Sequence, residues 1–212
     1  MLKLLLLLAL IPTAIGFLIW KLLVKPTPHG LKQAPMNTHE VLTRVLPRTI
    51  TLVSGNEMRL KNNTLSLPAS VADSFYYRDL AEPLLQSSLL ITGSPTLWRQ
   101  HHLALLIDHL LPSFALVLIL LGALSKGIPM PLLPHTLLVT ISLCSMNALY
   151  LTYLRAKGLK VALTIAKKVI FREKKSELPL FEECLKSLCF SHTLPKFITL
   201  LISRAQRTKQ AP

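Results

Sequence analysis

Charge is what this sequence has least of. Only 16% of its 212 residues are Asp, Glu, Lys or Arg, against about 25% in soluble domains of this size. The apolar residues make up 51% of the chain. They gather in long runs instead of spreading at helical or strand period, which argues against an ordinary soluble core and for a bilayer. Acid is scarcer than base, with 10 Asp+Glu against 24 Lys+Arg and a formal net charge of +14. In a soluble protein that excess would point to nucleic acid. Here the cations flank the apolar runs, and no basic segment is interleaved with aromatics as a single-strand platform requires. The expected partner is therefore the lipid bilayer and not nucleic acid, with the cations setting topology and attracting anionic headgroups. The three cysteines, Cys144, Cys184 and Cys189, are an odd number with no framework spacing. Cys184 and Cys189 have no second pair, which excludes a zinc knuckle, and reduced thiols suit a cytosolic face. P-loop, GxSxG and GxGxxG motifs are all missing.

The fold expected is mainly α. It is an integral membrane protein with about three transmembrane helices (an anchor plus a hairpin), a small α+β cytosolic segment and a basic amphipathic C-terminal helical region. Residues 1–24 are the N-terminal anchor. Leu4 to Trp20 carries no charge, and the main positive charge follows the run, which favours an uncleaved anchor over a signal peptide. Residues 25–100 are polar. Pro26, Pro28, Gly30 and Pro35 make an irregular linker, and Thr38 caps a short amphipathic helix through Leu46. Ile50–Val53 and Met58–Leu67 read as short strands, with a turn at Asn62-Asn63. A helix begins at Ser70 and places Leu80, Leu84, Leu85, Ser88 and Leu89 on one face, with Pro83 as a local defect.

Residues 101–154 form the hairpin, Leu103–Leu124 and about Leu132–Leu154, joined by a turn at Lys126, Gly127, Pro129 and Pro131. In the basic tail of residues 155–212, Lys157–Lys175 has the pattern of a membrane-surface helix. Leu178–Ser203 is a further interfacial helix or a poorly formed fourth span. The cations before and after the hairpin outnumber the single Lys126 between its helices. The positive-inside rule then puts both polar segments in the cytoplasm of a multi-pass inner-membrane protein, with the Lys126 turn outside.

Candidate chemistry is sparse. His39-Glu40-Val41-Leu42-Thr43 begins like a zinc helix, in which two imidazoles one turn apart bind the ion and the Glu activates water. Thr43 stands where the second His must be, so His39 and Glu40 read as surface residues. His101, His102, Asp108 and His109 are the denser set. On a helix, His101 shares a face with Asp108 and His102 with His109, an arrangement that could hold a metal. Their alternative role is structural, at the headgroup level beside Trp98 and Arg99. His135 is expected at the interface, and Ser142, Ser145, Asn147 and Ala148 at helix–helix contacts. The Asn62-Asn63-Thr64 sequon matters only on a secretory face.

The order of these parts resembles the membrane-bound neutral zinc metallopeptidase family of bacteria. Asn37 to Leu46 is similar to that family's first helix. Asn63-Thr64-Leu65-Ser66-Leu67-Pro68-Ala69-Ser70-Val71-Ala72-Asp73-Ser74 is similar to its strand and the run into its zinc helix, and the hairpin follows as it does there. The resemblance implies a zinc helix over residues 74–91 with a further carboxylate ligand after the hairpin. The motif residues are missing. Counted without a gap, Pro83 and Ser87 replace the two His, Leu84 replaces the general-base Glu, and the third ligand falls near Thr152. A one-residue shift lets Glu82 stand for the Glu, but Ala81 and Leu85 then replace the imidazoles. Zinc hydrolases need three protein ligands and an open water position, and water without zinc keeps a pKa near ~15.7 instead of about 7. The expectation is a degenerate member with no catalytic residue, no metal and no cofactor (zinc in active members), acting as a scaffold or by binding another membrane protein. The alternatives are an active zinc metallopeptidase with its site relocated to His101, His102, Asp108 or His109, and an unrelated small membrane protein serving transport or secretion.

Overall fold

The computed structural model describes residues 2–24, 32–61, 63–92, 95–124, 132–195 and 198. The chain is mainly helical, with one three-stranded sheet. Contacts divide it into two units. One comprises Met1–Leu22, Gln100–Tyr153 and Ser191–Pro212, and the other Leu23–Arg99 and Leu154–Phe190. The expected linker residues Pro26, Pro28 and Gly30, the Lys126 turn with its implied topology, and the tail beyond residue 198 lie outside the described residues.

The first unit holds helix α1 (Leu2–Leu23), most of α5 (Pro95–Leu124) and the first part of α6 (Leu132–Ile165). Among the described residues, α1 and α6 are long and apolar enough to cross a membrane. The side chains of Leu7, Leu10, Ile11, Leu18 and Leu22 are each more than half exposed, a surface that water does not tolerate over this extent. The polar groups of α1 are satisfied internally. Pro12 has no N–H to offer the carbonyl of Leu8, and Ser142 of α6 donates its hydroxyl to that oxygen instead, at 2.9 Å. Thr13 donates to Ala9 O at 2.7 Å, which leaves its oxygen to accept from Ser145 Oγ at 2.8 Å. Asn147 Nδ2 donates to Ala104 O across α6 and α5 at 2.9 Å. Hydroxyl and amide groups bridging between helices are what packing in hydrocarbon uses when apolar burial gives no net gain.

The second unit begins with α2 (Thr38–Val45). Its cap is Asn37, one residue before the Thr38 that the sequence suggests, and Asn37 Oδ1 accepts the Glu40 N–H at 2.7 Å. Thr38 is fully buried instead. Strands β1 (Thr51–Gly55), β2 (Arg59–Lys61) and β3 (Thr64–Pro68) form a sheet of order β1-β3-β2. β1 runs parallel to β3 and β2 antiparallel to it. The β2–β3 turn depends on Asn63 at φ 60°, a left-handed conformation that Asn tolerates better than most residues. Alternation along β3 turns Leu65 and Leu67 inward, against Leu42, Leu46, Ala72, Leu90 and Trp98.

The helix expected from Ser70 is interrupted. α3 (Ala69–Ala72) stops at Asp73, and α4 runs from Tyr77 to Ile91. Backbone pairing competes with the helix at the break. Ala34 N–H donates to Phe75 O at 2.6 Å, and Tyr77 N–H donates to Lys32 O at 2.9 Å. Ser74 then bonds the Asp79 carboxylate at 2.7 Å, at the start of α4.

Two further expectations differ from what forms. α6 does not end at Arg155; it continues to Ile165 and closes in a single π turn, Ala166–Ile170. The segment expected on the membrane surface buries Ala162, Ile165, Ala166 and Ile170 in the main core of this unit. α7 (Leu178–Phe190) buries Phe181, Cys184, Leu185 and Cys189 in the same core, against Tyr77, Leu80, Ala81, Leu84 and Leu85 of α4. Residues 154–190 therefore fold with residues 23–99, because the apolar stripe of each helix finds a partner there. Tyr77, Phe171 and Phe181 meet at centroid distances of 5.8, 5.3 and 5.2 Å, contacts that contribute about 0.5–1.5 kcal/mol each beyond their burial. α4 and α6 approach closely at Gly158, where an added Cβ would collide with Ser88 Oγ and lie 3.1 Å from Leu85 O.

Phe181→Ala is expected to cost about 3–5 kcal/mol, as for other fully buried aromatics. Phe75→Ala, on an exposed ring, is expected to stay within about 0.5 kcal/mol. Thermal unfolding of the detergent-solubilised chain checks both, and equal losses would contradict the packing described.

Candidate functional site

The most unusual group in the second unit is a buried guanidinium. Arg155 lies on the face of α6 that carries Leu151, Gly158 and Ala162, and is 1% exposed. A cation placed there needs full compensation, since an unpaired buried charge costs several kcal/mol. Arg155 Nη2 donates to Glu82 Oε1 at 2.5 Å and Nη1 to Glu82 Oε2 at 3.3 Å, a two-pronged pair. Nη1 also donates to the Leu188 carbonyl at 3.0 Å, near the end of α7. Gln86 Nε2, one turn along α4, donates to Glu82 Oε1 at 2.9 Å. One side chain from α6 thus ties α4 to α7, beside Gly158 where α4 and α6 already touch.

The positions singled out by the resemblance surround this pair on α4. Pro83, Leu84 and Ser87 are buried, with Leu84 part of the main core. Ser87 Oγ finds no hydrogen-bond partner among the described residues. Thr152 belongs to the other unit, where its hydroxyl donates to Ala148 O at 2.9 Å. Of the His/Asp set on α5, His101 and Asp108 are buried, His102 is half-buried and His109 is exposed. Among the described residues no three of His, Cys, Asp and Glu are placed to hold one metal ion. His39 is exposed, and Glu40 pairs with Arg44 at 2.7 Å. Arg155 is the residue that the sequence reading missed. Its signal is a charge on the 148–151–155–158–162 stripe, where every neighbour is apolar or small, yet it reads as the end of a span.

Titratable groups around the pair are held neutral. Burial pushes the Cys189 thiol up to about 12, with the Arg155 guanidinium pulling the other way. Burial likewise raises Cys184 to about 11. Burial and then the Glu177 carboxylate raise Tyr77 to about 12; its hydroxyl donates to Glu177 Oε2 at 3.2 Å. None of these groups is an activated nucleophile, since thiolate chemistry needs a lowered pKa.

No family model, no curated protein and no solved structure matches this chain. The site is therefore read from its own geometry.

Glu82→Ala strands the buried guanidinium and is expected to destabilise the unit by about 3 kcal/mol, the low end for a broken buried pair because Glu82 is a third exposed. Glu82→Leu combined with Arg155→Met should recover most of that loss, read as the unfolding midpoint in denaturant. Stability should also fall in alkali. The raised pKa values keep Cys184, Cys189 and Tyr77 neutral in the fold. Their contribution is full below the ordinary cysteine value of 9.0 and is lost as pH rises toward about 12. Melting temperature against pH checks the sign, and Tyr77→Phe should flatten the part above pH 10.0.

Proposed function

We propose that this chain is a multi-pass membrane protein of the neutral zinc metallopeptidase type that no longer cleaves peptides and works by binding or scaffolding another membrane protein. The observation that carries the reading is the state of α4 where such a peptidase would present its zinc ligands. Pro83 and Leu84 have no donor atom, and both are buried. Ser87 has only a hydroxyl, and the Thr152 hydroxyl is already bonded to Ala148. The nearest carboxylate, Glu82, is taken up by Arg155 and Gln86. This set does not fit zinc, which is held by imidazole, thiolate or carboxylate donors. A guanidinium supplies the local positive charge instead. Unlike a metal ion it cannot bind and acidify a water molecule, so no hydrolytic step follows from it.

In this reading α5 crosses the bilayer with α1 and α6. Three crossings put the basic segments, residues 25–100 and 155–212, on the cytoplasmic side of the inner membrane by the positive-inside rule. The scaffold of the second unit, with a core built from α4, α6 and α7, would keep the shape of a peptidase domain while the ligands are gone.

The expected outcome is less than one-tenth of an equivalent of zinc in protein purified without chelator, by elemental mass spectrometry, and no cleavage of unfolded casein. Stoichiometric zinc with chelator-sensitive cleavage, abolished by His102→Ala, would instead establish a site relocated to α5.

A further inference from the structure

α6 keeps one side uncovered along its length. At helical spacing this side carries Leu143 and Met146, then Tyr150 and Tyr153, then Lys157 and Lys160. All six are exposed, the first four by between 43% and 55%. The opposite side buries Cys144, Ala148, Leu151 and Arg155, so the exposure belongs to one face and is not general. Along that face the order is hydrocarbon, aromatic, cation, over roughly 26 Å of helix at about 1.5 Å per residue. A bilayer offers its environments in the same order, acyl chains, then the interface that Trp and Tyr favour, then phosphate. The surrounding sequence is acid-free, with no Asp or Glu between His109 and Arg172.

We propose that Tyr150, Tyr153, Lys157 and Lys160 form a docking surface for an anionic phospholipid. The two rings lie at the interface, and the two ammonium groups meet one phosphate-bearing headgroup. Lys157 stands one turn beyond Tyr153, about 6 Å along the axis, within reach of the headgroup layer for a flexible four-carbon stem. Lys160 follows at i+3, where side chains on a helix are neighbours. Lys167 and Lys168 are also exposed but lie about 15 Å further along, beyond a Debye length at physiological salt. Charge alone therefore does not define the surface. The position of the lysines relative to the aromatic pair does. The inference rests on α6 crossing the membrane and is independent of the peptidase resemblance.

The test uses the full chain in nanodiscs of phosphatidylcholine with and without phosphatidylglycerol, with co-purifying lipid measured by native mass spectrometry. Selective retention of phosphatidylglycerol is expected. It should fall about fivefold for each lysine removed in Lys157→Gln and Lys160→Gln, the equivalent of about 1 kcal/mol per headgroup-level cation. Lys167→Gln with Lys168→Gln should leave retention within twofold. Unchanged retention in the first pair, an equal loss in the second, or equally tight binding of glycerol phosphate without acyl chains would overturn the proposal. A chain that does not enter nanodiscs at all would overturn the membrane reading as well, which separates the two failures.

Discussion

Arg155 leaves the middle of α6 and spends all its directional bonds on two other helices, Glu82 of α4 and the Leu188 carbonyl of α7. A guanidinium that is 1% exposed cannot be left half-satisfied, so the relative placement of these three helices is fixed by one charge. Gly158 sits one turn further on, where α6 and α4 come into near-backbone contact. The apolar core of the second unit then closes around that arrangement, with Phe181, Leu185 and Cys189 of α7 facing Leu84 and Leu85 of α4. Burial supplies most of the favourable free energy here. The ion pair specifies register, a use for which buried polar groups are better attested than for stability.

The first unit follows a different rule. Its exposed surface is apolar, so burying side chains against one another gains little if the surroundings are hydrocarbon. What it shows instead is hydroxyls and amides placed on carbonyls of neighbouring helices. Ser142 reaches the Leu8 oxygen that Pro12 leaves without its usual donor, a small repair that allows a proline inside a long apolar helix. The two units are thus built from opposite balances of burial and polar satisfaction, which is the physical content of their separation.

The same contrast bears on chemistry. Where a zinc peptidase of the type this chain resembles would need imidazoles and a free carboxylate, α4 supplies proline, leucine and serine inside a packed core, and its one carboxylate is paired. A catalytic site requires groups held in strained or charged states that folding does not favour. Here Cys184, Cys189 and Tyr77 are all displaced toward their neutral forms, the direction in which burial alone drives them.

Much of this was legible in the residues. The apolar run of α1, the short strands around Asn63, α2 and the helix through Leu80, Leu84 and Leu85 all follow from local patterns, because periodicity, turn chemistry and run length act between near neighbours in sequence. The break before α4 was not legible, since it depends on residues 32–34 pairing with 75–77. Nor was the continuation of α6 through Arg155, because a charge after an apolar run looks the same whether it meets water or a carboxylate 73 positions away. The basic stretch after Arg155 has surface-helix periodicity, and only the presence of α4 and α7 decides that its apolar side meets protein and not lipid. The sequence by itself determined the elements, the excess of base and the missing ligand residues. Tertiary structure alone decided which stripe packs on which and that Glu82 serves Arg155, because partner choice between distant segments is set by shape and charge brought together in space, which no local pattern encodes.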